Sequence, residues 1–258
     1  MYLLEKQQHY EDIFDYEITS GLPIIVKLNG RHFSKITRNI VKPYSPELGN
    51  ILHNTMFHSI VEIEGAVFGY QFNDEVLFLL RSEDAYNNRI QKLNSVASGL
   101  TALNFIKNLF AADDPPDLIG EALFECLVFP VPSVDEAITY FETKQNICWH
   151  IAVNNAAEAE LTKIHGKKQA EGILYRKNTS EKLEILKECG ISLDIYPKEF
   201  YAGVCAYKVP RLVKTKTGDI NRKNWILDLD FTAERTFLSN IFQSGCDIFR
   251  AKRDLIVQ

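Results

Sequence analysis

The sequence predicts an α+β domain of the ferredoxin-like type, with the order βαββαβ and additional helices and strands after it. Two observations support this. Short β-branched and apolar runs alternate with long stretches of helical periodicity. A hairpin pattern also lies between the first two long helical stretches. The resulting element order is that of a split βαβ unit.

The first strand is predicted over residues 24–28, after a polar lead-in at 1–18 with a helical pattern. Its residues are short, mostly apolar and β-branched, and the strand is expected to stop at Asn29-Gly30-Arg31. Proline then marks a loop, and a helix is expected from Ser45 or Pro46 to about Glu64.

The hairpin is predicted at residues 66–80, with Asn73-Asp74-Glu75 at its bend. Ser133 is a candidate N-cap with Glu136 three residues later, which is the spacing of a capping box. The other elements are a helix at 85–110, a strand at 122–131 and a helix at 134–144 that continues, after a break, past His165.

The chain is long enough for one large domain or for a core with an appendage. We expect a palm-like catalytic core at 1–145 and a helical, basic extension at 146–258 that completes the same compact unit. The strand-like and turn-like pieces of 215–258 have no predicted order.

The formal net charge of -5 counts against a general nucleic-acid coat protein, although a local basic groove can hide in such a sum. The five cysteines are irregularly spaced without a C-x-x-C pair, which favours reduced thiols over a zinc knuckle or disulfides. The N-terminus lacks an apolar signal core, and no apolar run is long enough to span a bilayer. The sequence therefore predicts a soluble, cytoplasmic protein without a membrane partner.

The first strand's end and the hairpin bend are expected to lie side by side, which would place an Asn29 oxygen, the Gly30 carbonyl and Asp74 in one site. Such oxygens suit Mg²⁺, and transfer of phosphoryl or nucleotidyl groups by two ions needs carboxylates that converge. The alternative is structural. Asp74-Glu75 also fits a solvated turn, and Asn29-Gly30 fits a type I′ turn.

A series of motifs in fixed order resembles the tRNA-His guanylyltransferase family over about residues 10–210. Val26 to Phe33 is similar to V-R-L-D-G-R-x-F, and Asn73-Asp74-Glu75 is similar to the S-D-E hairpin. The other matching segments are Lys42-Pro43, Arg89 with Lys92, Phe124-Glu125 through Pro130, Tyr140 with Lys144-Gln145, Ser180 through Glu184, and Pro197, Phe200 and Gly203.

The resemblance implies a palm enzyme that adds nucleotides to an RNA 5′ end in the 3′-to-5′ direction. It would use two Mg²⁺ ions and a nucleoside triphosphate, GTP or ATP, and assemble as a homodimer or homotetramer. The implied catalytic residues are Asp74, Asn29 and Glu75, and the implied metal ligands are Asn29, Gly30 and Asp74. The residues implied to bind nucleotide are Lys27, Gly30, Arg31, His32, Phe33, Lys42, Asn73, Asp74, Arg89 and Lys92.

Contact with RNA is expected at Asn155, which an ungapped match aligns with the last Asn of the family's H-I-N-N-L-Y-N signature. The rest of that signature is missing, which favours a diverged repair member. Basic residues further along are the other candidates for RNA phosphates, although a solvated face is the commoner explanation for such pairs. They are Lys167, Lys168, Arg176, Lys177 and Lys182.

Asn29 stands where the family has an aspartate, and a neutral amide is a weaker metal ligand. Three interpretations remain open: an introduced change that disables the site, a natural residue with Asp74 and Glu75 holding the ions, or a non-catalytic relative. That relative would bind triphosphate and RNA without turnover. A nucleotide cyclase on the same topology is a further alternative, but the G-G-[DE]-E-F hairpin of that class is absent.

Overall fold

The computed structural model describes residues 2–13, 15–118, 120–215 and 218–244. These residues form a mixed α+β fold around one six-stranded antiparallel sheet, which confirms the predicted fold class. The strands are β1 Pro23–Arg31, β2 Ala66–Phe72, β3 Glu75–Arg81, β4 Leu123–Pro130, β5 Val204–Thr215 and β6 Gly218–Asp228. The helices are α1 Tyr2–Asp12, α2 Phe33–Ile36, α3 Pro46–Glu62, α4 Ile90–Ala111, α5 Val134–His165, α6 Lys167–Leu174, α7 Thr179–Glu188, α8 Lys198–Ala202 and α9 Arg235–Ser244.

The strand order is β4-β1-β3-β2-β5-β6. Its first four members form the predicted split βαβ unit, in which α3 connects β1 to β2 and α4 connects β3 to β4. The hairpin is confirmed at nearly the expected bounds, with Asn73 and Asp74 in the turn. The strands β5 and β6, which the sequence did not order, extend the same sheet beyond β2.

The predicted end of the first strand was wrong. β1 continues through Asn29 and Gly30 to Arg31 because this segment pairs on both sides: Asn29 faces Glu75 of β3 and Glu125 of β4. The type I′ turn interpretation of Asn29-Gly30 is therefore excluded. Gly30 is needed for packing, since a Cβ there would lie 2.2 Å from the Phe33 ring.

Each face of the sheet has its own hydrophobic core. On one face α3 and α4 cover Val26, Leu28 and Phe78, and Phe105 of α4 is fully buried there. On the other face α5 and α9 cover an aromatic cluster centred on Phe68. Burial on both faces explains why β2 is almost entirely apolar.

The expected break before His165 was also wrong, because α5 runs continuously for 32 residues from its Ser133 cap. The helical stretch is interrupted at Gly166, which has a φ of 79° and is the N-cap of α6. A 3-10 turn at Tyr86–Asn88 delays the start of α4 to Ile90. The proposed boundary at 145 stays a prediction, and part of its second unit, 245–258, lies outside the described residues.

The N-terminus of α7 is closed by a capping box between Asn178 and Glu181. Asn178→Ala removes the side-chain acceptor of the Glu181 N–H, so we expect the free energy of unfolding to fall by about 1 kcal/mol. Urea denaturation measures this loss, and Asn178→Ser, which keeps an acceptor, serves as the control. Equal losses in both variants would contradict a capping role.

Within the described part of the chain, no helix is both long and apolar enough to cross a membrane.

Candidate active site

The residues of the first strand's end and of the hairpin bend meet at one end of the sheet. The Gly30 N–H donates to the Asp74 carbonyl oxygen at 2.9 Å, which joins β1 to the turn between β2 and β3. Asn29 lies directly opposite Glu75 in the sheet. Asn73 holds a left-handed conformation with φ of 47°, which asparagine tolerates in tight turns. The structure therefore brings together the backbone positions of Asn29, Gly30, Asp74 and Glu75, the four residues expected to form the catalytic centre.

Of the two carboxylates at the hairpin, that of Asp74 lines a cleft and that of Glu75 does not. Burial raises the pKa of Asp74, its own backbone N–H opposes that shift, and the neighbouring charge of Glu75 raises the pKa further. An opposing positive charge, from a cation or a bound metal ion, would favour the ionised form. This carboxylate is therefore placed to attract a cation into the cleft.

Glu75 is held on the opposite face of the sheet from Val76 by two ammonium groups. Lys144 Nζ of α5 lies 2.6 Å from Glu75 Oε1, and Lys27 Nζ lies 3.3 Å from Oε2. The Glu75 side chain is 14% exposed, so these ion pairs are largely shielded from solvent. Lys27, which was expected to bind nucleotide, is therefore in contact with Glu75, which was expected to assist the ions.

The cleft has a volume of about 840 Å³ and lies between α3, α5 and α8. The N-terminal turn of α3 opens onto it through Ser45, Leu48 and Gly49, and the partial positive charge of a helix N-terminus favours anions. Six of the residues predicted from the sequence line its walls. They are Phe33, Lys42, Asn73, Asp74, Asn155 and Lys167.

Six residues expected to bind nucleotide lie outside the lining of this cleft: Lys27, Gly30, Arg31, His32, Arg89 and Lys92. Arg89 and Lys92 occupy the start of α4, which follows the opposite end of β3 from Asp74. Arg89 Nε pairs with Asp15 at 2.8 Å, and Lys92 Nζ lies 5.3 Å from the centre of the Tyr86 ring. Arg31 and His32 follow Gly30 and are solvent-exposed, with Arg31 Nε 3.6 Å from Glu125.

The remaining residues expected to contact RNA sit on α6 and α7 or between them. Lys168, Arg176 and Lys177 are exposed, and Lys177 Nζ pairs with Glu181 at 2.8 Å. Lys182 Nζ donates to Asn154 Oδ1 of α5 at 2.8 Å. Of the residues expected to contact RNA, only Asn155 and Lys167 line the cleft itself.

Several cleft residues were not predicted from the sequence. Lys163 lies two turns after Asn155 on α5, so helical periodicity could have found it. Tyr44 donates to Glu199 at 3.2 Å across 155 residues, and no local pattern signals such a pair. Burial, followed by the charge of Glu199, raises the pKa of Tyr44 well above its usual range. Its hydroxyl therefore acts as a neutral donor in this wall.

His53 of α3 lines the cleft with only 5% of its surface exposed, and burial lowers its pKa to about 4. The unfolded chain binds this proton with a pKa near 6.5. Its contribution to stability is therefore complete above about pH 6.5 and is lost as the pH falls towards 4, by up to about 1.4 kcal/mol per pH unit.

We predict that His53→Gln makes the free energy of unfolding less dependent on pH in this window. Urea denaturation of each variant at several pH values gives the slopes. His58→Gln, at an exposed position of the same helix, should keep the slope of the unchanged chain. If His53→Gln kept that slope as well, the burial of a neutral imidazole would be disproved.

Among the described residues, no cluster of three or more His, Cys, Asp or Glu side chains is placed to hold a metal ion. The available donors at the hairpin end are the Asp74 carboxylate, the Asn29 amide oxygen and the Gly30 carbonyl. One carboxylate with neutral oxygens suits Mg²⁺ when substrate phosphates complete the coordination. A second carboxylate would become available only if Glu75 left Lys27 and Lys144.

Comparison with known proteins gives consistent matches. The model of the family described as tRNAHis guanylyltransferase matches residues 4–132. The chain is 23% identical over 209 residues to tRNA(His) guanylyltransferase 2 of Arabidopsis thaliana, covering 77% of this chain and 39% of that protein. The chain thus spans well under half the length of this relative.

Solved structures share the fold at low sequence identity. A bacterial tRNA(His) guanylyltransferase (Thg1)-like protein in complex with ATP superposes with a TM-score of 0.75 and 20% identity, covering 93% of this chain and 98% of that one. A structure titled as the same kind of protein in complex with GTP gives 0.74 and 19%, covering 95% and 99%. The tRNA(His) guanylyltransferase of Saccharomyces cerevisiae gives 0.66 and 19%, covering 83% and 95%.

Proposed function

The chain belongs to the tRNAHis guanylyltransferase family, and from this premise we propose that it adds nucleotides to the 5′ end of a tRNA or a similar RNA. Addition would proceed in the 3′-to-5′ direction, as G addition or as repair of a truncated end. One observation carries the proposal: Asp74 lines a large cleft and is joined through its backbone to the Asn29-Gly30 segment.

A nucleoside triphosphate is the proposed substrate of the cleft. Lys42 and Lys167 supply positive charge on its walls, and the N-terminus of α3 adds a partial positive charge. Bacterial relatives of the same fold are in complex with ATP and with GTP, which supports either nucleotide here. The cleft volume of about 840 Å³ lies in the range that accommodates a small-molecule ligand of nucleotide size.

Mg²⁺ is the proposed metal, held by Asp74, the Asn29 amide oxygen and the Gly30 carbonyl together with the phosphates. When bound, it would neutralise charge on the phosphate oxygens. The chain's own cations share that task by fixing the triphosphate at one end of the cleft. The second ion implied by the family remains a prediction that depends on release of Glu75 from its two lysines.

The RNA is proposed to lie across α6 and α7, where Lys168, Arg176 and Lys177 are exposed. Phosphates recognised by such cations would position the 5′ end without reading sequence. Lys182 would have to exchange its hydrogen bond with Asn154 for one with phosphate. Binding through these residues should weaken steeply with salt.

The proposal is tested by incubating the purified chain with a 5′-truncated tRNA, Mg²⁺ and the four nucleoside triphosphates. We expect extended products that disappear in Asp74→Ala. Asp113→Ala removes an exposed carboxylate outside the cleft lining and serves as the control. Absence of products from the unchanged chain, with nucleotide still bound, would disprove nucleotide addition.

A second candidate function, binding of triphosphate and RNA without turnover, is supported by two observations. Asn29 provides no charge, and Glu75 is neutralised by Lys27 and Lys144. Only Asp74 would then be available as an ionised ligand. Turnover that depends on Asp74 in the assay above would exclude this candidate.

We also propose that the chain assembles as a homodimer or homotetramer and that it acts in the cytoplasm. Leu123 and Leu127 of the edge strand β4 are 51% and 58% exposed, and such residues fit a homodimer or homotetramer contact. Cys126, Cys148 and Cys189 are free thiols, which is consistent with the cytoplasm.

A further inference from the structure

A second pocket lies at the end of the sheet away from Asp74. Asp74 precedes the first residue of β3 and Arg81 is its last, so the strand separates them by about 20 Å. The pocket has a volume of about 320 Å³ and is enclosed by the end of α3, the turn at Gly65, and strands β5 and β6. We call it the distal pocket.

Three cationic side chains converge on the distal pocket: Arg81, Lys208 and Lys223. Lys208 is half-buried, with its Nζ 4.6 Å from the centre of the Trp225 ring. Burial lowers the pKa of Lys208, the charges of Lys223 and Arg81 lower it further, and Asp84 opposes them. The cations therefore repel one another in a partly desolvated space, although the carboxylates of Asp84 and exposed Glu64 also border the pocket.

The described partners of these cations are neutral carbonyl oxygens. Arg81 donates to Gln243 at 3.1 Å, Lys223 to Ser244 at 3.1 Å, and Lys208 to Ala66 at 3.4 Å. A guanidinium has five donors and an ammonium three, so donors remain for a further partner.

Within the described ranges, none of the three takes part in an ion pair. Eight other cations of the described residues do pair with carboxylates. The paired cations are Lys27, Arg31, Arg89, Lys144, Lys163, Lys177, Lys198 and Arg235.

Capping of α9 explains part of this arrangement, because Arg81 and Lys223 reach its last carbonyls and cations stabilise a helix C-terminus. It does not explain Lys208, which donates to Ala66 at the edge of β2. An anion would offset the repulsion between this half-buried ammonium and the two further cations, and among the described residues neither Asp84 nor Glu64 forms an ion pair with Lys208.

We propose that the distal pocket binds a phosphate group. Its oxygens would accept from Lys208 and Lys223 and from the remaining donors of Arg81, in charge-assisted hydrogen bonds. The phosphate could belong to an RNA backbone or to a free nucleotide, since both present the same oxyanion. The inference is independent of nucleotide addition at Asp74, because it rests on side chains about 20 Å away.

The test titrates inorganic phosphate into the isotopically labelled chain and follows the indole N–H resonances. The sequence has two tryptophans: Trp225 lines the pocket, and Trp149 on α5 serves as an internal reference. We expect a saturable shift of the Trp225 signal with Trp149 unchanged. Chloride at matched ionic strength should not reproduce it.

Lys208→Gln and Lys223→Gln should each weaken phosphate binding by about tenfold or more, because each loses a charge-assisted hydrogen bond. Arg222→Gln removes the same charge from the same strand, but strand alternation directs this exposed residue to the other face, so its affinity should be unchanged. Lys223 is exposed, so its variant keeps the test valid if Lys208→Gln unfolds.

Equal affinity in the unchanged chain and Lys223→Gln, or an equal shift with chloride, would overturn the proposal.

The source of the phosphate follows from two competitions with inorganic phosphate. A short RNA duplex that moves the Trp225 signal and is displaced by phosphate identifies the RNA backbone. ATP that moves the Trp225 signal of Asp74→Ala and is displaced by phosphate identifies a free nucleotide. No response to inorganic phosphate would reject the site even if 5′ extension succeeded elsewhere.

Discussion

Asn29→Asp is expected to increase 5′ nucleotide addition by about 100-fold or more. The substitution replaces an amide nitrogen by a carboxylate oxygen opposite Glu75, next to the Gly30 carbonyl and the Asp74 turn. A second ionised ligand strengthens the hold on Mg²⁺, and charge stabilisation by a metal contributes several kcal/mol to such a transfer. A three-kcal/mol gain corresponds to about a hundredfold in rate.

Single-turnover rates with a 5′-truncated tRNA measure this effect. Asn146→Asp adds the same charge at an exposed position of α5 and should leave the rate unchanged. Binding provides a separate readout, because a carboxylate at position 29 offers Mg²⁺ a second ionised ligand near the Asp74 turn. We therefore expect Mg²⁺ to raise the melting temperature of Asn29→Asp more than that of the unchanged chain.

Equal rates in the unchanged chain and Asn29→Asp would show that the amide is a sufficient ligand. An Asn29→Asp variant that binds Mg²⁺ and triphosphate but remains inactive would contradict the assignment of this hairpin end as the centre of nucleotide transfer.

Phe68→Ala is expected to lower the free energy of unfolding by about 3–5 kcal/mol, because it leaves a cavity in the core under α5 and α9. Phe68 is fully buried in β2. Its ring centre lies 5.0 Å from that of Phe141, 5.4 Å from Phe242 and 5.8 Å from Phe231. Truncation thus removes aromatic contacts with α5, with α9 and with the segment that precedes α9.

Urea denaturation at constant pH measures the loss, and Phe110→Ala provides the matched control. Phe110 is 84% exposed on α4, so the same truncation should change stability by less than about 0.5 kcal/mol. A loss at Phe68 no larger than at Phe110 would mean that α5 and α9 do not close over the sheet as described.

The sequence predicted the βαββαβ core because its elements have strong periodic signals. The hairpin at Asp74 and the helix after Ser133 were marked by turn and capping residues, which act locally. The end of β1 was missed because Asn29-Gly30 favours a turn in isolation. Pairing with β3 and β4 overrides that preference, and such pairing is a long-range property.

The candidate site was predictable where motifs are contiguous and not where distant segments meet. Asp74 and Lys42 could be named from short motifs, and both line the cleft. The Lys144–Glu75 ion pair and the Tyr44–Glu199 contact join segments far apart in sequence, so no local pattern reports them. For the same reason the strands β5 and β6 could not be assigned to the sheet in advance.

Because β1 pairs on both sides, the backbone position of residue 29 does not depend on the chemistry of its side chain. Backbone hydrogen bonds to β3 and β4, with Phe33 packed against Gly30, set where the side chain at position 29 points whatever its chemistry. An amide and a carboxylate have the same shape, so exchanging one for the other leaves the fold intact. One codon change at this position therefore exchanges a neutral side chain for a charged one without altering the backbone that presents it.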